Sequence, residues 1–451
     1  MGATNIQGIA RLVFILCVIF LSIYFILPPS AEESLHIEKT LKEKIIKQSL
    51  QKEQQAQQAR EALDKKLDKL LVDKRTRADK DAIETTKRVI KEKLKFDFTN
   101  IIPGSNSFGK INKNGNNNNA KRLKEFKRKL ECMTSKGRWE IDHTPRPIIK
   151  HKQDPLYGKC DRRLENQNNN NNNNYYNYSM EHEWQFARES VKYVWRTPEE
   201  CSIPKFNIEK ACSIIYGKKF LLVGDILLFQ LHELLLDYFK DGPVQCYGEI
   251  ACKEHILCKI ENNEEGNVKQ KQPPKMKFIR NDLISNRKNV PIDDIKFVDV
   301  KNLELPWISY AYKFNVLIFN KGHHWQDDET FRNSLIEVMN SIRTKFPNTL
   351  IIYKSTTLGH LNCESAKKPL SSPPNATELE ALPYHWGEIH RQNLIAKEIT
   401  EAVGGVFIDL ENVMITRIDD HIGGQDCLRW CIPGPADIWL DFLFYVMNEL
   451  K

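Results

Sequence analysis

Between residues 219 and 450, short apolar runs alternate with longer segments of helical periodicity, and this alternation leaves few folds open. Phe220–Val223 precedes a leucine-rich helix predicted over Leu227–Phe239. Asn315–Phe319 is followed by a helix over Glu329–Phe346, Leu350–Tyr353 by a helix over Ile389–Val403, and Val406–Asp409 by a final helix over Ile438–Leu450. Strands that alternate with helices form parallel sheets, because each helical crossover returns the chain to the same end of the sheet. The expected fold class is α/β: a doubly wound parallel sheet flanked by helices. The less regular, cysteine-rich segment ending at Asn207 reads as a subdomain packed on it.

The first third of the chain obeys different rules. Leu12–Leu27 is an unbroken uncharged run. A full span takes about 17–25 residues, so this one is short, which suits the thinner membranes of the early secretory pathway. Arg11 precedes the run and Glu32 and Glu33 follow it, an asymmetry that keeps the N-terminus cytoplasmic. Pro28-Pro29-Ser30-Ala31 is a poor cleavage site, so the run reads as a signal anchor rather than a removed signal peptide. Residues 32–96 lack Gly and Pro and carry leucines at helical intervals, as in a solvated stem; residues 100–119 read as a linker. The resulting division is a cytoplasmic tail over 1–11, an anchor over 12–27, and a helical stem with an Asn-rich linker over 28–120. A cysteine-rich subdomain over 121–207 and an α/β domain over 208–451 follow.

Of eleven cysteines, Cys17 lies in the apolar run, leaving ten beyond it. An even number in a secretory setting points to disulfides, with the pairing left open. The net charge of +8 comes from 67 basic and 59 acidic residues that are interleaved, and no zinc-finger or RNP-like spacing is present, which argues against nucleic acid as a partner. Asn177 and Asn375 head glycosylation sequons, and Asn168–Asn174 is a low-complexity loop.

In a doubly wound sheet, ligands bind beyond the carboxyl ends of the strands. The Gly224-Asp225-Ile226 turn leaves a buried strand there, and Asp426-Cys427-Leu428-Arg429-Trp430-Cys431 stands near the end of the chain. Other blocks surround these. Gly137-Arg138-Trp139 follows Cys132, and Tyr193-Val194-Trp195-Arg196 precedes Cys201. Asn320-Lys321-Gly322-His323-His324-Trp325 sits mid-domain, and Arg417, Asp419 and His421 lead into the closing block. In order and spacing they resemble the PC-esterase, or trichome-birefringence-like, family over residues 132 to about 445. The resemblance implies an SGNH-like fold and transfer or removal of acyl groups, mostly acetyl, on polysaccharides.

It also assigns roles. Ile226 stands where that family places its nucleophilic serine and Arg429 where it places its histidine. Isoleucine has no nucleophile, and arginine stays protonated and cannot serve as a base. Residues 221–240 contain no Ser, Thr or Cys, and the nearest histidine to Asp426 is His421, so a shifted register restores neither group. Asp225, Asn320 and Asp426 are the retained catalytic-motif positions, with Asn320 a candidate oxyanion donor. Arg280, His323 and Trp325 are candidate substrate-binding residues. Asp426 reads equally as an ion-pair partner of Arg429, and His323 and His324 as part of a turn packed on Trp325. Trp195, Trp325, Trp386 and Trp430 suit sugar stacking or plain core filling.

No cofactor or metal is expected. The expected partners are the membrane, a polysaccharide or glycan acceptor and an active paralogue. The expected setting is the Golgi membrane in type II orientation, with the C-terminal domain lumenal. The leading expectation is a catalytically impaired glycan-binding or helper pseudoenzyme. The alternatives are an active O-acetyltransferase using His323, His324 or His421, and a purely structural partner.

Overall fold

Five short parallel strands, four of them buried along almost their whole length, build the centre of the protein. The computed structural model describes residues 14–19, 21, 22, 31–94, 117–149, 151, 157, 160, 184, 185, 187–240, 246–258, 272–286 and 302–450. These fall into two units, Met1–Leu71 and Val72–Lys451. In the first, residues 14–19, 21 and 22 are helical and exposed, and helix α1 (Ala31–Lys93) begins. Among the described residues no helix is long and apolar enough to cross a membrane; the rest of the expected anchor, 12–27, lies outside them.

In the second unit, strand β1 (Arg138–Ile141) pairs antiparallel with β2 (Tyr193–Arg196), placing Trp139 opposite Trp195. The main sheet is made of β3 (Lys219–Gly224), β4 (Cys246–Tyr247), β5 (Ala251–Cys252), β6 (His255–Ile256), β7 (Lys275–Arg280), β8 (Val316–Asn320), β9 (Leu350–Lys354) and β10 (Val406–Ile408). Its order is β10-β9-β8-β3-β7-β5-β4, with β6 beside β7. Strands β3, β7, β8, β9 and β10 run parallel, whereas β5 and β6 run antiparallel to β7. A further hairpin joins β11 (His421–Gly423) to β12 (Asp426–Trp430). The expected strands are all present. The one missed parallel strand is β7, whose sequence Lys-Met-Lys-Phe-Ile-Arg hides its apolar face between charges.

Successive side chains of a strand point to opposite faces, and both faces here are covered. Phe220, Leu222, Val316, Ile318, Leu350 and Ile352 join one core with helices α3 (Ile208–Ile215), α4 (Ile226–Tyr238) and α7 (Ile438–Glu449). Leu221, Val223, Leu317, Phe319, Ile351 and Tyr353 join a second core with α5 (Asp328–Lys345) and α6 (Ile389–Ala402). Burial on both faces explains why these strands read as continuous apolar runs. The C-terminal part of α1 belongs to this unit: Ala82, Val89 and Ile90 enter the second core, and Thr86 Oγ1 accepts a bond from Arg332 Nε at 2.9 Å. Helix α2 (Asn117–Ser135) packs Leu123, Phe126 and Leu130 into the first core.

The described residues contain five disulfides: Cys132–Cys201, Cys160–Cys431, Cys212–Cys258, Cys246–Cys252 and Cys363–Cys427. All ten expected cysteines are thereby paired, and Cys427 and Cys431 bond to different partners. Of the sequons, Asn375 is exposed and caps the helix Ala376–Glu380; Asn177 lies outside the described residues.

Candidate active site

Counting only parallel strands by position along the chain, the sheet order is 2-1-3-4-5 across β7, β3, β8, β9 and β10. The winding direction reverses between β3 and β8, and the crevice outside the carboxyl ends of those strands is where such sheets bind ligands. At that edge Gly224 is in register with Arg280 on one side and Asn320 on the other. Three separate sequence blocks therefore meet within three neighbouring strands.

Two contacts fix the turn. Asp225 caps α4, with Oδ1 accepting the Leu227 N–H at 2.9 Å, an arrangement worth about 1 kcal/mol. Its Oδ2 accepts the His323 N–H at 3.3 Å. Gly322 has φ +74°, and a Cβ there would lie 1.6 Å from Asp225 Oδ2. The Asn-Lys-Gly-His block needs its glycine because the carboxylate occupies the place of a side chain. Burial raises the Asp225 carboxyl above its ordinary value, opposed by His324 and Lys354 and reinforced by Asp282.

Asn320 is fully buried. Its Nδ2 donates to Lys354 O at 2.9 Å and to Thr356 Oγ1 at 3.2 Å, so both amide hydrogens are directed into the protein. Its Oδ1 and Thr357 Oγ1 have no hydrogen-bond partner among the described residues. Neither ring nitrogen of His323 makes a well-formed hydrogen bond, although the Thr357 backbone lies close enough to favour its protonated form. Burial outweighs that contact and pushes His323 down to about 3, so the imidazole is neutral. Unspent polar atoms of three residues thus surround this crevice, a concentration that ordered water or a ligand group ordinarily explains. Trp386 closes one side, 5.4 Å edge-on from His323.

Ile226, half-buried, is the first residue of α4, directly after the cap. Arg429 lies on β12, so the expected pairing with Asp426 forms on a strand and not across a helical turn. Its Nε donates to Asp426 Oδ2 at 2.6 Å and its Nη1 to Glu249. Glu249 also reaches Arg280 (3.9 Å), Arg280 Nε donates to Asp282 Oδ1 at 2.8 Å, and His324 Nε2 lies 3.5 Å from the same oxygen. The result is one chain of alternating charges, Asp426–Arg429–Glu249–Arg280–Asp282, across the sheet edge, with the His324 ring beside its last carboxylate. Burial works against the Arg429 charge, but Asp426 and Glu249 overcome it and hold its pKa above the ordinary arginine value.

Sequence reasoning missed Glu249 and Asp282, which belong to no recognised block, and it missed Lys354. That lysine ends an otherwise apolar strand, is 2% exposed, and lies 4.2 Å from the Trp439 ring; burial pushes it down to about 7. A lysine directly after Leu350-Ile351-Ile352-Tyr353 was the available signal. Trp325 stays at the surface, 43% exposed and stacked on His385 at 4.0 Å. His421 is enclosed with His360 (2.8 Å between ring nitrogens) and stacked on Trp430, which removes it from the crevice as a base. Trp195 and Trp430 are core residues. Among the described residues the His/Cys/Asp/Glu group close enough to hold a metal ion is His232, Cys246 and His255, none of them in these motifs.

No family model matches the chain. Relatives do, and across most of its length. Xyloglucan O-acetyltransferase 2 of Arabidopsis thaliana is 23% identical over 317 residues, 57% of this chain and 73% of the relative. Protein trichome birefringence-like 15 of the same plant is 23% identical over 368 residues, covering 69% and 70%. Protein trichome birefringence-like 6 is 22% identical over 380 residues, covering 72% and 73%. The chain belongs to the trichome birefringence-like family. Within this trichome birefringence-like chain, the Gly-Asp turn, the Asn-x-Gly-His block and the Asp of the closing block stand at one sheet edge, joined by hydrogen bonds and ion pairs.

Proposed function

We propose that this chain is a polysaccharide-binding member of its family that no longer performs Ser–His acyl transfer and acts as a binding or helper protein beside an active paralogue. The observation that carries the reading is the locking of Arg429 between Asp426 and Glu249. Where the family motif places a general base, this chain has a permanent cation whose charge is spent joining β12 to the turn between β4 and β5. Ile226 offers nothing for such a base to activate. Removing nucleophile or base from a triad costs about 10⁶ in turnover.

Binding, by contrast, keeps its support. The crevice retains the Asp225–His323 contact, the unspent polar atoms of Asn320, Thr357 and His323, and Trp386 beside them. The SGNH-like reading of the sheet, the signal anchor over 12–27 and a type II Golgi setting belong to the same proposal, and five disulfides suit an oxidising lumen. The test incubates the purified full-length chain with acetylated and free xyloglucan-type oligosaccharides and an acetyl donor. Expected are saturable oligosaccharide binding and no gain or loss of acetyl mass on the sugar; turnover above background would overturn the reading.

A second reading keeps activity, with His323 as base and a sugar hydroxyl attacking directly. The unspent ring nitrogens of His323 favour it; its depressed basicity opposes it, since a base near 3 is mismatched to neutral pH. Acetyl transfer that disappears in His323→Gln would establish that route.

A further inference from the structure

Two histidines and a disulfide converge at the edge of the sheet, on residues that no recognised motif uses. His232 lies in the middle of α4, His255 on β6, and Cys246 and Cys252 face each other across the β4–β5 hairpin. One ligand atom from each of His232, Cys246 and His255 lies within 4.8 Å of the others. Cys252 Sγ is 3.9 Å from His232 Nδ1, and the two imidazole rings meet edge to face at 5.2 Å.

His232 is the independent indicator. Its side chain is fully buried in a helix that is otherwise mostly apolar, and its Nε2 has no hydrogen-bond partner among the described residues. Contacts with the Phe229 and Phe278 rings account for the apolar surface of the imidazole and leave that nitrogen unexplained. A buried polar atom left unpaired is costly, and a metal bond is one way to recover that cost.

We propose that Cys246, His232 and His255 form a zinc site that opens when the Cys246–Cys252 disulfide is reduced, with Cys252 as the fourth ligand. The chemistry balances with a dithiol reductant. The disulfide accepts two electrons and two protons, the dithiol is oxidised to its own disulfide, and the ion then displaces the thiol protons. The set so formed is Cys₂His₂, a closed structural type. Bond lengths of about 2.3 Å to sulfur and about 2.0–2.1 Å to nitrogen place ligand atoms roughly 3.3–3.8 Å apart, so the cluster needs to contract by about an ångström. The short β4–β5 hairpin carries both thiols and can supply that shift. The disulfide is the latch: while it holds, Cys246 is no ligand.

Cys252→Ser removes the latch together with the fourth ligand. It frees Cys246 without reductant, leaves the other four disulfides in place, and leaves Cys246, His232 and His255 to hold the ion with water completing the coordination. Full-length protein is loaded with Zn²⁺, dialysed and assayed by elemental analysis, with Co²⁺ as a spectroscopic substitute. Expected is one zinc equivalent in Cys252→Ser, none in untreated wild type, and a thiolate-to-cobalt charge-transfer band. His255→Gln in the Cys252→Ser background returns zinc to the wild-type level. The proposal is overturned if Cys252→Ser, with four disulfides verified by peptide mapping, binds no more zinc than Cys246→Ser/Cys252→Ser. Should Cys252→Ser fail to fold, dithiol-treated wild type with only the 246–252 bond opened takes its place, against the same double variant and with the same outcomes.

Discussion

Replacing Arg429 with methionine removes the central cation of the ion chain while keeping most of the aliphatic volume. Arg429 donates to Asp426 at 2.6 Å and to Glu249, and its side chain is 17% exposed, against 18% and 30% for its partners. Breaking a fully buried pair costs about 3–5 kcal/mol, and exposed pairs are worth about 0.2–1 kcal/mol. These groups lie between those limits. Asp426 also retains the backbone N–H groups of Leu428 and Arg429, at 3.2 and 3.0 Å, which lowers the penalty at that end. The expected loss is about 2 kcal/mol. That lowers Tm by at most about 4–8 °C, the figure for smaller domains. The assay is urea unfolding of wild type, Arg429→Met, Glu249→Gln and the double variant, read as a cycle with a coupling of about 1–2 kcal/mol. An Arg429→Met variant within about 0.5 kcal/mol of wild type, with additive effects across the cycle, would refute the idea that this arginine holds the edge together.

Two further outcomes follow from single contacts. Gly322→Ala forces a Cβ to within 1.6 Å of Asp225 Oδ2 at φ +74°, whereas Gly217→Ala meets nothing within 4 Å at φ +76°. Unfolding curves should show a loss above about 3 kcal/mol for the first and only about 1–2 kcal/mol of left-handed strain for the second; equal losses would mean that the carboxylate does not set the requirement. Burial depresses Lys354 from 10.5 to about 7. Between those pH values the unfolded chain holds this proton and the folded chain does not, so the contribution is complete above 10.5 and is lost as pH falls towards 7. Lys354→Met should therefore flatten the rise of stability between pH 7 and 10, measured by urea midpoints; an unchanged slope would count against it.

The alternation that announced the sheet was legible because strands buried on both faces are written as apolar runs, and Phe220–Val223 and Leu350–Tyr353 could scarcely be anything else. The positions of Asp225 and Asn320 were legible for the same reason, since each ends such a run. Strand β7 was not, because Lys275 and Lys277 lie on its partly exposed side and break the run. The end of α1 was hidden too: Ala82 and Thr86 are small or polar residues, and only the surface they meet makes them core. The ion chain was out of reach for a deeper reason. Glu249 and Asp282 acquire their roles from long-range placement, and a lone acidic residue in a sequence carries no sign of the arginine it will meet.

The most direct measurement compares wild type with Ile226→Ser/Arg429→His for covalent labelling by a fluorophosphonate, mapped by peptide mass. The account predicts no labelling of wild type and labelling of the variant at position 226, because Asp225, Gly322 and Asp426 still hold the frame in which a serine and a histidine would meet. Stoichiometric labelling of the wild-type chain, at any residue of the crevice, would contradict it.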